Sequence, residues 1–484
     1  MRKKKQEIIL DDVLIEAVAA EGKALAHVDG MALFVQFAVP GDIVKVKVTK
    51  KKKNYMEGFI LELKQASAHR LEPFCKHFGV CGGCKWQPLP YDMQLEAKRQ
   101  QVEDQFIRIG HLNLEHAQPG ADGRPIRPTL ASEQTTGYRN KLEFTFSEQR
   151  WLYTGENPEE ITPSDRLGLG FHVGRFFDKV LDIEQCHLQP SPSNEIRNFI
   201  RQYAKDNGLT FFNIRNHHGF LRNMVVRTTE NGNVMLIMVF YHEDVPARTA
   251  LLDAILANFP SITSLYYVIN GKCNDSIADQ DCILYKGDEA IYESMESLRF
   301  KIGPKSFYQT NSRQAYRLYS VAREFAALTG KEVVYDLYTG TGTIAQFVSA
   351  GASKVIGIEY VPEAIADAKA NAAANGINNC EFFAGDMKEV LTSDFIQAHG
   401  HPDVIILDPP RAGIHPHVAK VILDAAPDRM VYVSCNPASQ ARDLEILCNS
   451  AEENGVHYRI TAIQPVDMFP HTHHVENVVA LEKY

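Results

Sequence analysis

The chain lacks any long hydrophobic run. Its longest apolar stretch is the eight residues from Val234 to Tyr241, whereas a membrane-spanning helix needs about 20. The basic start, Met1 to Lys5, is not followed by the apolar segment of a secretory signal peptide. We therefore expect neither membrane insertion nor secretion, and we predict a cytoplasmic protein.

Cysteine is scarce and odd in number, with nine in 484 residues. That count suits a reducing compartment better than a disulfide framework. Gly and Pro are at ordinary levels, 31 and 23, and 45% of the residues are hydrophobic, which excludes long disordered or fibrous segments. At roughly 150 residues per domain, the length predicts about three folding units.

Positive charge is in deficit overall but is concentrated near the N-terminus. The net charge is -9, yet six lysines occur in the nine residues from Lys45 to Lys53. Residues 7 to 66 show period-two alternation broken by turn dipeptides, a pattern typical of an OB-like β-barrel. Lysines on one face of this barrel either bind the phosphates of a polyanion or protect a solvated edge strand, and both interpretations remain open.

The pattern of apolar and polar residues divides the remaining chain into two further regions. We predict a first domain at 1–68, a β-rich central domain at 69–300 and a catalytic domain at 301–484. A helix is expected at 91–110, packed on the catalytic domain, and Asn231-Gly232 predicts a hairpin between two apolar runs. No internal repeat is apparent.

From residue 331 short apolar runs alternate with helical segments, which predicts a Rossmann-like α/β domain with a buried parallel sheet. Two further runs near the C-terminus are expected to complete the sheet as an antiparallel pair. The expected strands are 333–337, 355–358, 381–383, 404–407, 430–433, 458–462 and 475–480.

A glycine-rich loop, 336–342, follows the first of these strands. Gly340 and Gly342 permit a sharp turn and close approach of a ligand, and Glu359 lies nineteen residues after Gly340, where an acceptor for ribose hydroxyls belongs. This loop predicts a nucleoside cofactor. The spacing with Ala345 suits a dinucleotide as well as S-adenosylmethionine, and a plain tight turn is the structural alternative.

Two motifs end later strands at the same carboxyl edge, where open α/β sheets bind ligands. Asp408 begins an Asp-Pro-Pro-Arg motif, and Cys435 lies in Ser-Cys-Asn-Pro. Because its strand-end position exposes it to the crevice, Cys435 is a candidate nucleophile rather than a buried apolar residue. It favours S-adenosylmethionine as the ligand of the glycine loop.

The segment 469–476 is dense in groups that transfer protons or bind metals. Glu476 is a candidate general base, and a solvated strand-end carboxylate is the alternative. Three histidines here, His471, His473 and His474, would suit a metal site by residue type, but no second cluster completes the ligands. Cysteine, carboxylate and a methyl donor are the parts needed to methylate C5 of uracil through thiolate addition at C6.

Together with Phe307-Tyr308-Gln309-Thr310-Asn311, these motifs resemble the S-adenosylmethionine-dependent RNA (uracil-5-)-methyltransferase family. The resemblance implies Cys435 as nucleophile and Glu476 as the base that removes the C5 proton. It also implies a set of cofactor or uracil contacts, namely Gln309, Tyr338, Gly340, Gly342, Thr343, Glu359, Asp386 and Asp408. Tyr338-Thr339 stands where many members have Phe-Cys, a departure that we expect to be tolerated.

Four cysteines, Cys75, Cys81, Cys84 and Cys186, resemble the [4Fe-4S] ligands of the ribosomal RNA branch of that family. A zinc site made of the same thiolates is the alternative. The N-terminal barrel resembles the TRAM RNA-binding domain of the same branch. The resemblance therefore implies a monomeric 23S ribosomal RNA methyltransferase without an obligate protein partner. Transfer RNA methylation and a non-catalytic RNA-binding iron-sulfur protein are the alternatives.

Overall fold

The computed structural model describes residues 7–174, 176–449 and 455–484. Its N-terminal part is a six-stranded barrel-like sheet of order β1-β5-β6-β4-β3-β2, in which β4 and β6 run parallel. Alternate residues of these strands, such as Val44 and Val46, fill the barrel core. The strands are β1 (Ile8–Leu14), β2 (Ala17–Val18), β3 (Lys23–Val28), β4 (Met31–Gln36), β5 (Ile43–Lys51) and β6 (Tyr55–Gln65).

The central part contains a seven-stranded sheet of order β13-β12-β11-β10-β7-β8-β9. The predicted hairpin is confirmed as β10 and β11, and Gly232 in its turn has φ of 82°. The strands are β7 (Lys141–Ser147), β8 (Gly168–Val173), β9 (Phe176–Asp182), β10 (Leu221–Thr228), β11 (Val234–Phe240), β12 (Ser264–Ile269) and β13 (Ile283–Gly287).

Helices accompany the central sheet, and two of them were not predicted from the sequence. α2 (Ser193–Asp206) and α3 (Val245–Asn258) bury residues such as Ile200 and Leu251 against one face of the sheet. A separate hairpin, β14 (Ile291–Met295) with β15 (Leu298–Ile302), leads into the catalytic part.

Helix α1 (Tyr91–Arg108) precedes the central sheet in sequence but packs on the catalytic part, as predicted. The chain after it runs along a catalytic strand, because the Gln118 N–H donates to the Thr461 carbonyl at 2.8 Å and the Leu130 N–H to the Pro465 carbonyl at 2.8 Å.

The catalytic part is a seven-stranded sheet of order β18-β17-β16-β19-β20-β22-β21, and β22 is antiparallel to both of its neighbours. This Rossmann-like arrangement confirms the predicted fold class. The strands are β16 (Val333–Leu337), β17 (Lys354–Glu359), β18 (Cys380–Ala384), β19 (Val404–Leu407), β20 (Arg429–Ser434), β21 (Tyr458–Val466) and β22 (Glu476–Lys483). The helices are α4 (Ser312–Ala326), α5 (Thr343–Val348), α6 (Pro362–Ala374), α7 (Met387–Val390), α8 (Ser393–His399), α9 (Pro416–Ala425) and α10 (Pro437–Asn449).

Buried apolar residues cover both faces of this sheet, as the continuous apolar runs predict. The strand order reverses between β16 and β19, so that the loops after these strands diverge and leave a crevice at the carboxyl edge. Among the described residues, no helix is both long and apolar enough to cross a membrane.

Candidate active site

The glycine loop joins β16 to α5 and is tied to the end of β17. Its backbone turns through positive φ at Tyr338 (66°), Gly340 (57°) and Gly342 (74°). The Gly340 N–H donates to the Glu359 carboxylate at 3.1 Å, and the Val361 N–H donates to the same carboxylate at 3.0 Å. These bonds fix the loop beside the acidic strand end that the sequence predicts as a ribose acceptor.

The two glycines of this loop do different things. A Cβ built on Gly340 meets no atom within 4 Å, so this position leaves open space for a ligand. A Cβ on Gly342 would lie 2.9 Å from both the Ala368 Cβ and the Phe382 ring. Gly342 therefore allows close packing behind the loop and, unlike Gly340, does not line the cavity.

A cavity of about 1440 Å³ opens at the carboxyl edge of the sheet, large enough for a nucleoside cofactor and a flipped nucleotide together. Except for Gly342, every residue predicted to bind cofactor or uracil lines it, and so do both predicted catalytic residues. These residues are Gln309, Tyr338, Gly340, Thr343, Glu359, Asp386, Asp408, Cys435 and Glu476.

The strand register places Cys435 and Glu476 side by side. Ser434 at the end of β20 pairs with Asn477 of antiparallel β22, so the next residue on one strand faces the preceding residue on the other. Glu476 is 5% exposed. The thiol and the carboxyl thus share one water-poor end of the cavity.

Burial sets the proton affinity of this pair. Burial, with Asp408 nearby, raises the pKa of Glu476 to about 8, although Arg411 opposes the shift. Burial and then Glu476 raise the pKa of Cys435 to about 11, against a lowering by Arg411, which also bonds to the thiol. The free site therefore holds protons on both groups at neutral pH.

Two further carboxyls lie at the ends of neighbouring strands, the buried Asp336 and the partly buried Asp408 of the cavity wall. Burial raises the pKa of Asp336 to about 7, and burial together with Asp336 raises that of Asp408 to about 7. Asp336 accepts hydrogen bonds from the Thr339 hydroxyl and, at 3.0 Å, from the Ala345 N–H, which holds the glycine loop to β16. Its other carboxyl oxygen is buried without a partner among the described residues.

Arg411 is a residue to which the sequence analysis assigned no role. Its carbonyl accepts from the Asn436 amide at 2.9 Å and from the Ser439 hydroxyl at 3.0 Å, so the loop after β19 is fastened to the loop carrying Cys435. The guanidinium donates a hydrogen bond to the thiol and lowers its pKa. Its place three residues after Asp408 was the available signal, since a thiol nucleophile needs a neighbouring positive charge.

Comparison with known proteins gives the family. Residues 278–484 match the family model described as tRNA (Uracil-5-)-methyltransferase, and residues 11–61 match the TRAM domain. A protein of Porphyromonas gingivalis named as an uncharacterized RNA methyltransferase is 57% identical over 96% of this chain and 98% of its own length. The chain belongs to the S-adenosylmethionine-dependent RNA (uracil-5-)-methyltransferase family.

Two more distant matches are also named as RNA methyltransferases. An uncharacterized RNA methyltransferase of Halalkalibacterium halodurans is 37% identical over 97% of this chain and 96% of that protein. A solved structure, the Pyrococcus abyssi tRNA (uracil-54, C5)-methyltransferase in complex with S-adenosyl-L-homocysteine, is similar with a TM-score of 0.71 at 27% identity. The match covers 97% of this chain and 99% of the Pyrococcus abyssi chain. The predicted TRAM domain and the choice of S-adenosylmethionine over a dinucleotide are confirmed.

The lysines of the TRAM barrel do not form one free basic face. Lys45 pairs with Asp11 at 3.4 Å, Lys47 with Glu7 at 2.6 Å, and Lys50 with Glu57 at 2.7 Å. Only the hairpin tip, Lys51 to Lys53, is exposed without an acidic partner among the described residues. The phosphate-binding prediction is therefore reduced to this tip.

The four predicted cluster cysteines come together from two segments 102 residues apart. Cys75, Cys81, Cys84 and Cys186 influence one another electrostatically, and burial, as the main cause, raises the pKa of the Cys81 thiol to about 11 and of Cys84 to about 12. A backbone N–H donates to the Cys81 sulfur and another to the Cys186 sulfur. The four thiols are therefore neighbours in the fold.

No set of three or more His, Cys, Asp or Glu among the described residues is arranged to hold a metal ion. Neither the four cysteines nor the histidines of segment 469–476 therefore form such a set here. The metal of the four cysteines stays a prediction. His471 instead accepts through its carbonyl from the N–H groups of Lys85 and Trp86, at 2.8 and 3.1 Å. The segment is thus held by the cysteine-bearing loop.

Proposed function

We propose that the protein methylates C5 of a uridine in 23S ribosomal RNA through a covalent intermediate on Cys435. The observation that carries this proposal is the pairing of Cys435 with Glu476 across β20 and β22, in the same cavity as the glycine loop. A nucleophile, a base and a nucleoside site converge there, which is the set of groups that the reaction requires.

Cys435 begins the reaction. Uracil C5 is too weak a nucleophile to attack a sulfonium methyl group, so the Cys435 sulfur first adds to C6. An S–C6 bond forms, and the electron pair of the C5–C6 double bond moves toward the C4 carbonyl as an enolate. Arg411, which bonds to the sulfur, stabilises the thiolate that attacks.

S-Adenosylmethionine, when bound, supplies the electrophilic methyl group that the activated C5 takes up. The residues that would hold it include Tyr338, Glu359 and Asp386 around the open space at Gly340. Gln309 and Asp408 line the same cavity, and we propose that they contact either the cofactor or the uracil ring.

Glu476 completes the reaction by taking the proton from C5. The S–C6 bond then breaks, Cys435 leaves as a thiolate and the C5–C6 double bond is restored. A carboxylate whose pKa is raised to about 8 by burial is a stronger base than an exposed one, which suits proton abstraction from carbon.

Support for ribosomal RNA comes from the cysteine quartet and the TRAM barrel, which resemble those of the ribosomal RNA branch. We propose that Cys75, Cys81, Cys84 and Cys186 hold a [4Fe-4S] cluster with a structural role. Transfer RNA is the second candidate substrate, because the similar structure over 97% of the chain is a tRNA (uracil-54, C5)-methyltransferase. The barrel alone therefore does not select between the two RNAs.

The deciding experiment uses labelled S-adenosylmethionine with unmodified ribosomal RNA and unmodified transfer RNA as separate substrates. Label at C5 of uridine in 23S ribosomal RNA supports the proposal, whereas label only in transfer RNA would identify transfer RNA as the substrate instead. If the intact protein binds RNA but transfers no methyl group to either, a non-catalytic role takes its place.

A further inference from the structure

The adjacent rings of His473 and His474 lie next to Phe469, which lines the cavity. The rings of His473 and His474 lie 4.2 Å apart, and the His474 ring is 6.3 Å from that of Phe469. Phe469 lines the cavity together with Cys435 and Glu476. Groups that surround this histidine pair therefore lie close to the Phe469 side of the cavity.

Lys85 approaches this histidine pair from the cysteine-bearing loop. A Cβ on Gly22 of the barrel would lie 3.0 Å from the Lys85 Cβ and 3.3 Å from the His473 Nδ1, so the three residues pack together. Burial, and next the charge of Lys85, lower the pKa of His473.

Arg139 and Arg411 approach from two other parts of the chain. The Arg139 guanidinium carbon lies 5.2 Å from the centre of the Phe469 ring. Arg411 lines the cavity beside Cys435. Burial, His473 and then Arg411 lead the causes that lower the pKa of His474 to about 4, and Arg139 contributes to the same shift.

These three cations have no carboxylate partner. Across residues 7–174, 176–449 and 455–484, no ion pair includes Lys85, Arg139 or Arg411, and the buried Arg139 Nε has no hydrogen-bond partner. By contrast, Lys47 pairs with Glu7 at 2.6 Å and Arg323 with Glu296 at 2.8 Å. A cation that lies near an opening without a carboxylate partner favours the binding of an anion there.

We propose that Lys85, Arg139 and Arg411 bind the RNA phosphates that flank the target uridine. The inference rests on the proposed function, because a uridine turned out of its strand into the cavity leaves its two phosphates at the rim. Phosphate contacts fix the position of the strand, while contacts inside the cavity identify the base. Since the cations come from the cysteine-bearing loop, the central part and the catalytic part, the site exists only when all three are assembled.

The test measures how binding of a short single-stranded RNA containing uridine depends on salt, using Cys435→Ala protein so that no methyl transfer or adduct intervenes. Lys85→Gln and Arg139→Gln should each make the slope of log affinity against log salt shallower by about 0.7, as expected for one lost phosphate contact on single-stranded RNA. Both should also bind more weakly at low salt.

Matched controls remove a cation that already has an acidic partner. Lys47→Gln loses a lysine paired with Glu7, and Arg323→Gln loses an arginine that, like Arg139, lies over an aromatic ring, here Phe347 at 4.1 Å. Both should keep the original slope. Lys85→Arg and Arg139→Lys, which retain the charge, should keep it too.

Three outcomes overturn the inference: unchanged slopes in Lys85→Gln and Arg139→Gln, equal losses in the two controls, or loss of slope in the charge-retaining variants. The proposed function fails separately. If the otherwise unaltered enzyme methylates no RNA while the slopes change as expected, the phosphate site is supported and the proposed reaction is not. If the enzyme methylates RNA and the slopes are unchanged, only the phosphate site is rejected.

Discussion

Cys435 is the residue on which the proposed chemistry depends. Its replacement by Ala should abolish methyl transfer, because no other group adds to C6, and should leave RNA affinity nearly unchanged, since the thiol contributes little before the bond forms. Methyl transfer and filter binding measure the two effects, and Cys448→Ala is a control with a partly buried thiol outside the cavity. Substantial turnover by Cys435→Ala would exclude the covalent route.

Glu476 acts later, so its replacement should have a different consequence. In Glu476→Gln methyl transfer can proceed, but the C5 proton stays in place and the thiolate cannot leave. A covalent complex of protein and RNA should therefore accumulate and survive denaturing gels. The double variant Cys435→Ala, Glu476→Gln is the control and should give none. If the single variant yields no complex either, another group is the base.

The pH dependence should reflect the buried proton sites. Because the pKa of Glu476 is raised to about 8 and that of Cys435 to about 11, the reactive form gains population as pH rises, and kcat/KM should climb from pH 6 to 8. Arg411 lowers both pKa values, so Arg411→Gln should shift the rise toward higher pH, whereas Arg411→Lys should shift it less. Superimposable profiles for the three proteins would remove Arg411 from thiol activation.

At the scale of elements, α1 holds the segment that leads to Glu476. Lys98 and Asp467 form an ion pair in which both side chains are 0% exposed, and the Lys98 ammonium also donates to the Phe469 carbonyl at 3.1 Å. Gln94 of the same helix accepts from the His471 N–H at 2.9 Å. The helix thereby fixes the backbone on both sides of Pro470.

Lys98→Met should leave the Asp467 charge buried without its cation and destabilise the protein by about 3–5 kcal/mol. Arg108→Ala on the same helix is the control, because Arg108 is 75% exposed and its pair with Asp104 is solvated; it should change stability by no more than about 0.5 kcal/mol. Urea denaturation measures both. Equal, small changes would show that α1 does not depend on this pair.

At the scale of the whole molecule, the cysteine quartet joins the loop after the barrel to the central sheet. Purified without air, the protein should be brown and contain about four irons, and Cys186→Ser should lose both properties because one corner of the cluster lacks its thiolate. Cys273→Ser is the control, since Cys273 is exposed and outside the quartet. A colourless protein with one zinc bound by the four thiolates would overturn the iron assignment and leave the methyltransferase chemistry intact.

The cysteine-bearing loop also adjoins the catalytic segment through the Lys85 and Trp86 hydrogen bonds to His471. Loss of the proposed cluster should therefore disturb the proposed phosphate site at Lys85 before it affects the thiol of Cys435 itself. The division into domains at 1–68, 69–300 and 301–484 remains a prediction, and α1 shows that sequence order and spatial packing differ there.

The sequence by itself determined the sheet and the neighbourhood of its functional residues. Apolar runs, glycine turns and strand-end motifs are local, and parallel strands bring their carboxyl ends to one edge, so Glu359, Asp408 and Cys435 had to meet there. Elements that pack through contacts distant in sequence could not be predicted from such local patterns. The helices α2 and α3 were missed because the periodicity of the strands does not indicate what covers the sheet.

Only the tertiary structure decided how charges are matched. Lys47 looked free on its strand, but it pairs with Glu7, 40 residues away, whereas Lys85 and Arg139 looked ordinary and have no acidic partner in the described part of the chain. Likewise the residue type of Glu476 suggested a base, but its pKa follows from burial between strands. Charge and burial depend on which distant segments come together, and this is a property of the assembled fold rather than of any local pattern.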